Sequence, residues 1–113
     1  MDAREVHRRQ TLGAHAEERA KSWVLQQGWT LLATNLRVGA AQIDIVALDG
    51  NTLVALEVKA IIGRADALSR ITLAQGRRLL DALAQWRPDT IARVDLLAVR
   101  GEEIEHYRDV MAL

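Results

Sequence analysis

The sequence contains no cysteine, no phenylalanine and a single proline among its 113 residues. Without cysteine the protein forms neither disulfides nor Cys-ligated zinc sites, so its stability depends on the packing of its core. No apolar run approaches the roughly 18 residues that cross a bilayer, and the first ten residues lack the apolar stretch of a secretory signal. These absences predict a cytoplasmic protein without a membrane partner.

Aromatic residues make up only 4% of the chain. Proteins that bind single strands without sequence preference usually stack bases on aromatic side chains, and two of the three tryptophans, Trp23 and Trp86, have the spacing of core residues. Nothing resembles a P-loop or a G-x-G-x-x-G turn, so no nucleotide cofactor is expected. If the protein binds nucleic acid, it is therefore expected to contact the backbone of duplex or branched DNA.

Charge is balanced overall, with fifteen basic and fifteen acidic residues, but it is unevenly distributed. Residues 59–78 carry a net charge of +4, whereas residues 95–113 carry −3. Thirteen of the fifteen cations are arginine, whose planar group suits phosphate, although a G·C-rich genome also explains this bias. The length and the 50% hydrophobic content are typical of one domain spanning residues 1–113, with loose ends at 1–9 and 109–113.

Apolar spacing predicts two helices. The first is expected at residues 10–27, where Gly28 ends the pattern, and the second runs from Leu73 to Trp86 before Pro88. Between the strands and the second helix, residues 60–70 show no period and are expected to form a loop.

The remaining periodic segments predict β-strands. Dense β-branched runs surround Asp49-Gly50-Asn51, which is a strong signal for an antiparallel hairpin. A later segment is apolar on both faces, as expected of a central strand. The strands are expected at 29–35, 43–48, 53–58 and 93–99, with one more edge strand at about 104–107. The sequence thus predicts an α/β fold of order αβββαβ.

Three polar side chains interrupt the hairpin strands. Because side chains alternate along a strand, Glu57 and Lys59 share one face of the second strand, and Asp44 is expected to share a face with Val46 on the first. A carboxylate within an apolar strand needs a partner or a cation to offset its desolvation. A Glu57–Lys59 ion pair is one solution.

A metal site is the other solution. Mg²⁺ in enzymes is held by one or two carboxylates, with waters and substrate phosphate completing its shell. Asp44 and Glu57 would supply those oxygens, and Lys59 would orient a water or offset phosphate charge. The D…E-x-K pattern thus indicates phosphodiester hydrolysis with Mg²⁺ or Mn²⁺.

Four segments, GAHAEERAKSWVLQQGW, NLRVGAAQIDIV, LVALEVKA and RVDLLAV, resemble the YraN-like family of small bacterial proteins in order and spacing. That family is similar to restriction-endonuclease-like, PD-(D/E)xK nucleases and to Holliday junction resolvases. The resemblance implies a mixed β-sheet flanked by helices and a metal-dependent nuclease acting on DNA. It also implies that Asp44 and Glu57 bind metal, that Lys59 is catalytic, and that Glu17 faces the metal through water. An exposed, solvated Glu17 is the alternative.

The chain departs from the family pattern at three positions. Gln42 replaces a glutamate, Ile61 replaces an arginine, and Gln75 replaces a lysine that precedes an arginine pair. Each change removes a charge near the site. A non-catalytic accessory protein that binds nucleic acid or protein on a degenerate nuclease fold is therefore the alternative function.

Further polar residues complete the candidate site. Gln75 either positions a water or phosphate or, with Thr72, forms a helix capping box.

The histidines at positions 7, 15 and 106 show no zinc-binding pattern and are expected at the surface. Because each strand of a duplex needs its own site, we also expect a homodimer. The expected nucleic-acid-binding residues are Arg64, Arg70, Gln75, Arg77 and Arg78.

Overall fold

A computed structural model describes residues 3–112, with the side chains of residues 5–11 excepted. Within this range the chain forms two α-helices, a short 3-10 turn and a five-stranded sheet. The elements are α1 (Ala3–Gln26), β1 (Thr30–Val38), β2 (Ala41–Asp49), β3 (Thr52–Ala60), the turn Leu68–Arg70, α2 (Leu73–Trp86), β4 (Ala92–Arg100) and β5 (Glu103–Tyr107). The strands lie in the order β1-β2-β3-β4-β5. Only β3 and β4 pair in parallel within this sheet, so the sheet is mixed.

The predicted α/β fold is confirmed, and the edge strand β5 extends the order to αβββαββ. Helix α1 begins at Ala3 rather than at residue 10, so residues 3–9 of the expected loose end are helical, while residues 1 and 2 lie outside the described range. The expected loose end at 109–113 is wrong for Val110 and Met111. The Val110 N–H donates to Val94 O at 2.9 Å, and both side chains pack against the core.

The two helices cover opposite faces of the sheet. Leu53 and Ala55 of β3 belong to the core under α2, whereas Val54 and Leu56 belong to the core under α1. Strand β4 is buried along nearly its whole length. Strands covered on both faces need apolar residues at consecutive positions, which explains the continuous apolar runs of β3 and β4.

Local signals place the ends of these elements. Gly50 has φ of +59° in the β2–β3 turn, a conformation that glycine adopts without a Cβ clash. Gly76 of α2 is buried, and a Cβ there would overlap the Met111 thioether, so glycine lets Met111 pack closely against the helix. Across residues 3–112, neither helix has the length and apolar character needed to span a membrane.

Candidate active site

The β2–β3 hairpin opens at the end where its acidic residues lie. The ladder runs from Asp49–Thr52 to Ile45–Leu56. Beyond that last pair, the Val58 N–H donates to Asp44 Oδ2 at 2.8 Å. The Asp44 carboxylate therefore accepts a hydrogen bond that a strand backbone would otherwise accept, and it is held between the two diverging strands.

The prediction that Asp44 shares a face with Val46 is wrong. Val46 packs in the core under α2, whereas Asp44 lines a small pocket with Glu17 and Lys21 of α1. Strict alternation requires extended backbone on both paired strands. Ile43 and Ile45, on either side of Asp44, belong to the cores under α2 and under α1 respectively, so the alternation breaks at Asp44. Across the ladder, the β1 residue Asn35 has φ of +50°. This geometry places Asp44 beside the helix residue Glu17, which is half-buried.

Glu57 and Lys59 form the ion pair that their spacing allows. Lys59 Nζ lies 3.0 Å from Glu57 Oε1, and the side chains are 23% and 14% exposed, respectively. Glu57 keeps the α2 side of the sheet, where it lines a pocket with Gln75 and Arg78. The pair is thus present at the mouth of the site, where solvent still reaches both groups.

The electrostatics of Asp44 differ from those of an ordinary surface carboxyl. Burial raises the pKa of Asp44 from 3.8 to about 6, and the nearby negative charge of Glu57 adds to this rise. The Val58 N–H and the Lys59 ammonium oppose it only in part. Asp44 and Glu57 are therefore close enough to repel each other, and a cation between them would relieve that repulsion.

The donor set fits Mg²⁺ or Mn²⁺ rather than a metal that needs a closed protein cage. Among the described side chains, no three His, Cys, Asp or Glu groups converge as a ready-made metal cluster. Mg²⁺ usually takes one or two carboxylates and keeps waters or phosphate oxygens in its other positions. Asp44 and Glu57 supply two carboxylates of this kind.

The structure separates the expected nucleic-acid-binding residues. Gln75 and Arg78 line the pocket beside Glu57, and Arg70 lines a second pocket with Lys59. Arg77 faces away from both, in a pocket with Leu73 and Met111. Arg64 is exposed in the loop after β3. Gln75, Arg78 and Arg70 thus lie beside the acidic site. Arg77 and Arg64 line neither of these two pockets.

The capping interpretation of Gln75 is confirmed. The Thr72 N–H donates to Gln75 Oε1 at 3.0 Å, and the Gln75 N–H donates to Thr72 Oγ1 at 3.1 Å. These reciprocal bonds satisfy two backbone donors at the start of α2. Ile61, where the resembled family has arginine, is 4% exposed and packs with Ala67 and Leu96. This position therefore contributes to the core instead of to a charged site.

Sequence reasoning missed a second polar cluster on β4 and β5. Asp95 is fully buried and bonds to Arg93 Nε at 2.9 Å and to His106 Nε2 at 2.8 Å. His106 also lies against Trp23 and Trp29, so its expected surface position is wrong. His15 is exposed as expected, and the side chain of residue 7 lies outside the described part of the chain. Arg93 and Asp95, two apart on an apolar strand, were the available signal.

A mixed sheet between two helices, with acidic residues where a hairpin diverges, is consistent with a nuclease-like fold. The family model described as uncharacterised protein family UPF0102 matches residues 16–99, and the chain belongs to this family. The YraN-like resemblance is thereby confirmed.

Curated relatives named UPF0102 protein are similar along most of their length. The Acidiphilium cryptum (strain JF-5) protein is 35% identical over 103 residues, which covers 86% of this chain and 80% of the relative. The Thermotoga petrophila protein is 36% identical over 99 residues, covering 84% and 92%. The Chloroflexus aurantiacus (strain J-10-fl) protein is 36% identical over 115 residues, covering 89% and 90%. These names state family membership and no activity.

Proposed function

We propose that this protein is a metal-dependent nuclease that hydrolyses DNA phosphodiester bonds. The observation that supports it most is the open end of the β2–β3 hairpin, where Val58 N–H holds Asp44 beside Glu57 and Lys59 pairs with Glu57. Two carboxylates that repel each other in a partly buried site favour a divalent cation. The adjoining ammonium favours a phosphate.

The residues have distinct roles in this proposal. Asp44 and Glu57 hold Mg²⁺ or Mn²⁺, which supplies Lewis-acid stabilisation of charge on the phosphate when bound. Lys59 orients the attacking water and offsets negative charge that develops on the phosphate oxygens. Glu17, beside Asp44 in the same small pocket, orders a water on the α1 side.

Duplex or branched DNA is the proposed substrate. Arg78 lines the pocket beside Glu57, and Arg70 lines the pocket beside Lys59. Arginines next to both members of this pair suit a continuous phosphate backbone better than isolated bases. A homodimer would bring a site to each strand, and cleavage of both strands at one locus is its expected signature.

The test is cleavage of labelled single-stranded, duplex, flapped and four-way-junction DNA in Mg²⁺, in Mn²⁺ and in chelator. Wild type is compared with Glu57→Gln and with Glu103→Gln, a matched change at an exposed glutamate of β5. We expect cleavage that requires metal, disappears in Glu57→Gln and persists in Glu103→Gln. Thermal unfolding of each variant establishes that it is folded.

Two other outcomes lead to the alternative interpretations. A folded wild type that cuts none of these DNAs, yet binds one equally with and without metal, supports an accessory binding protein. If Glu57→Ala destabilises the protein by a few kcal/mol and metal changes nothing, Glu57–Lys59 is only a structural ion pair.

A further inference from the structure

A pocket of about 300 Å³ opens beside Glu57, between the β1–β2 turn and helix α2. This is at the small end of ligand sites in proteins. Its polar walls are Gln42, Glu57, Gln75 and Arg78, and it is completed by Ala40, Ala41 and Leu79. The orientation of the Gln75 amide and the charge of Arg78 determine what this pocket can bind.

The Gln75 amide is oriented by the helix cap. Its Oε1 accepts a hydrogen bond from the Thr72 N–H at 3.0 Å. Because the partner is a donor, the oxygen must face the cap, and the NH₂ group remains available on the other side. Gln75 therefore presents a donor to the pocket that it lines.

The Gln42 side chain lies on the other face of the sheet. Its neighbours in β2, Ala41 and Ile43, pack against the core under α2, so Gln42 between them points away from that core. There it contacts its ladder partner, with Arg37 Nη2 at 3.3 Å from Gln42 Oε1. Gln42 therefore borders the pocket without presenting its amide to it.

We propose that this pocket binds a backbone phosphate of the nucleic acid. This phosphate is the neighbour of the one that is hydrolysed at the site formed by Asp44 and Glu57. The pocket presents the Gln75 amide NH₂ group and the Arg78 guanidinium, and the carboxylate on its wall, Glu57, is paired with Lys59 at 3.0 Å. Such a donor set is complementary to an anion. The inference rests on the proposed nuclease function for the identity of the neighbouring phosphate.

Gln75 allows a test of the ligand's charge because a glutamate there keeps the helix cap. A carboxylate accepts from the Thr72 N–H as the amide oxygen does, but it has no donor and adds a negative charge to the pocket. The Gln75→Glu substitution therefore tests the anionic nature of the ligand.

Arg77 provides a matched control for Arg78. The two exposed arginines are consecutive in α2, but one residue corresponds to about 100° of rotation around a helix. Arg77 accordingly lines a different pocket, with Leu73, Ala74 and Met111. A specific phosphate site requires Arg78 alone, whereas general surface charge would involve both residues equally.

The experiment measures binding of labelled duplex and four-way-junction DNA by fluorescence anisotropy in chelator, over a series of salt concentrations. We expect Arg78→Ala to weaken binding about tenfold and to reduce the slope of log K against log salt by about 0.9, the value for one lost phosphate contact. Arg77→Ala should stay within about twofold with an unchanged slope. Gln75→Glu should weaken binding although it keeps the helix cap.

Equal losses and equal slopes for Arg77→Ala and Arg78→Ala would overturn the inference, as would unimpaired binding by Gln75→Glu. The cleavage assay separates this result from the nuclease proposal. Loss of DNA binding in Arg78→Ala alone, without any cleavage by wild type, would support the phosphate pocket and reject the nuclease. Cleavage by wild type, together with equal DNA binding by Arg77→Ala and Arg78→Ala, would support the nuclease and reject the phosphate pocket.

Discussion

Two acidic groups on the central strands have opposite environments. Asp95 of β4 is fully buried and receives four hydrogen bonds, two from Arg93, one from His106 and one from the Asp109 N–H. Burial raises the pKa of Asp95, but these bonds outweigh it and hold the pKa below its ordinary value. Asp44 receives one backbone hydrogen bond and lies near Glu57, and its pKa rises to about 6.

This difference distinguishes a structural carboxylate from a candidate ligand. The oxygens of Asp95 are occupied by protein donors. Their hydrogen bonds link β4 to β5 and to the tail at Asp109. Asp44 retains negative charge that the protein does not neutralise. Burial alone therefore does not mark a candidate functional acid, whereas burial with incomplete compensation does.

The largest expected effect is on Asp95. Replacing it with alanine leaves Arg93, which is 7% exposed, without its main partner and should lower the free energy of unfolding by about 3–5 kcal/mol. Urea denaturation measures this. Asp81→Ala, on the exposed face of α2, should change stability by less than about 0.5 kcal/mol. Similar losses of stability in Asp95→Ala and Asp81→Ala would contradict the structural role of Asp95.

The Asp44→Asn substitution should instead raise the free energy of unfolding. An asparagine keeps an acceptor for the Val58 N–H while removing a charge that burial and Glu57 disfavour. The rise in pKa from 3.8 to about 6 corresponds to a gain on the order of 2–3 kcal/mol at pH 7, at about 1.4 kcal/mol for each pKa unit. Urea denaturation should show this gain while metal-dependent cleavage is lost. A destabilised Asp44→Asn would contradict the proposed repulsion.

The two aspartates also predict opposite pH dependences. Because the folded pKa of Asp44 is raised, its favourable contribution is complete below 3.8 and is lost as pH rises through about 6. The folded pKa of Asp95 is lowered, so its contribution is present above 3.8 and is lost as pH falls through the folded value. In the wild type, ionisation of Asp44 should lower the free energy of unfolding between about pH 4 and 6. This decline should be absent in Asp44→Asn when unfolding is measured from pH 3 to 7. An unchanged profile would contradict the assignment.

Divalent metal should stabilise the wild type by a smaller amount. At a free Mn²⁺ concentration of about ten times Kd, binding to the folded state adds about 1.4 kcal/mol. Thermal unfolding at pH 7 should therefore shift upward with Mn²⁺, and the shift should vanish in Asp44→Asn and remain in Glu105→Gln on β5. Equal shifts in all three proteins would place the metal elsewhere.

The smallest expected effect concerns Gly13 in α1. Glycine inside a helix costs about 0.5–1 kcal/mol relative to alanine, and a Cβ at Gly13 would meet no described atom within 4 Å. Gly13→Ala should therefore stabilise the protein by that amount. Because Gly13 lines a pocket with Lys59 and Arg70, we expect cleavage to fall in the more stable variant. Unchanged cleavage would show that DNA does not approach α1 there.

The amino-acid sequence by itself determined those features that depend on local period and spacing. The hairpin at Gly50, helix α2 with its Thr72–Gln75 capping box, and the apolar strand β4 all follow from residues within about one element of each other. Glu57 and Lys59 are two apart on one strand, so their ion pair was also a local prediction.

Tertiary structure alone decided how distant residues meet. The position of Asp44 depends on where the β2–β3 ladder ends and on the distortion of β1 at Asn35, and neither is encoded in the spacing around Asp44. His106 was expected at the surface because the residues that it contacts lie on other elements: Trp23, Trp29 and its hydrogen-bond partner Asp95. Arg77 and Arg78 look equivalent in sequence, and only the packing of α2 on the sheet directs one toward Glu57 and the other away. Side-chain environment depends on long-range pairing, which local periodicity does not specify.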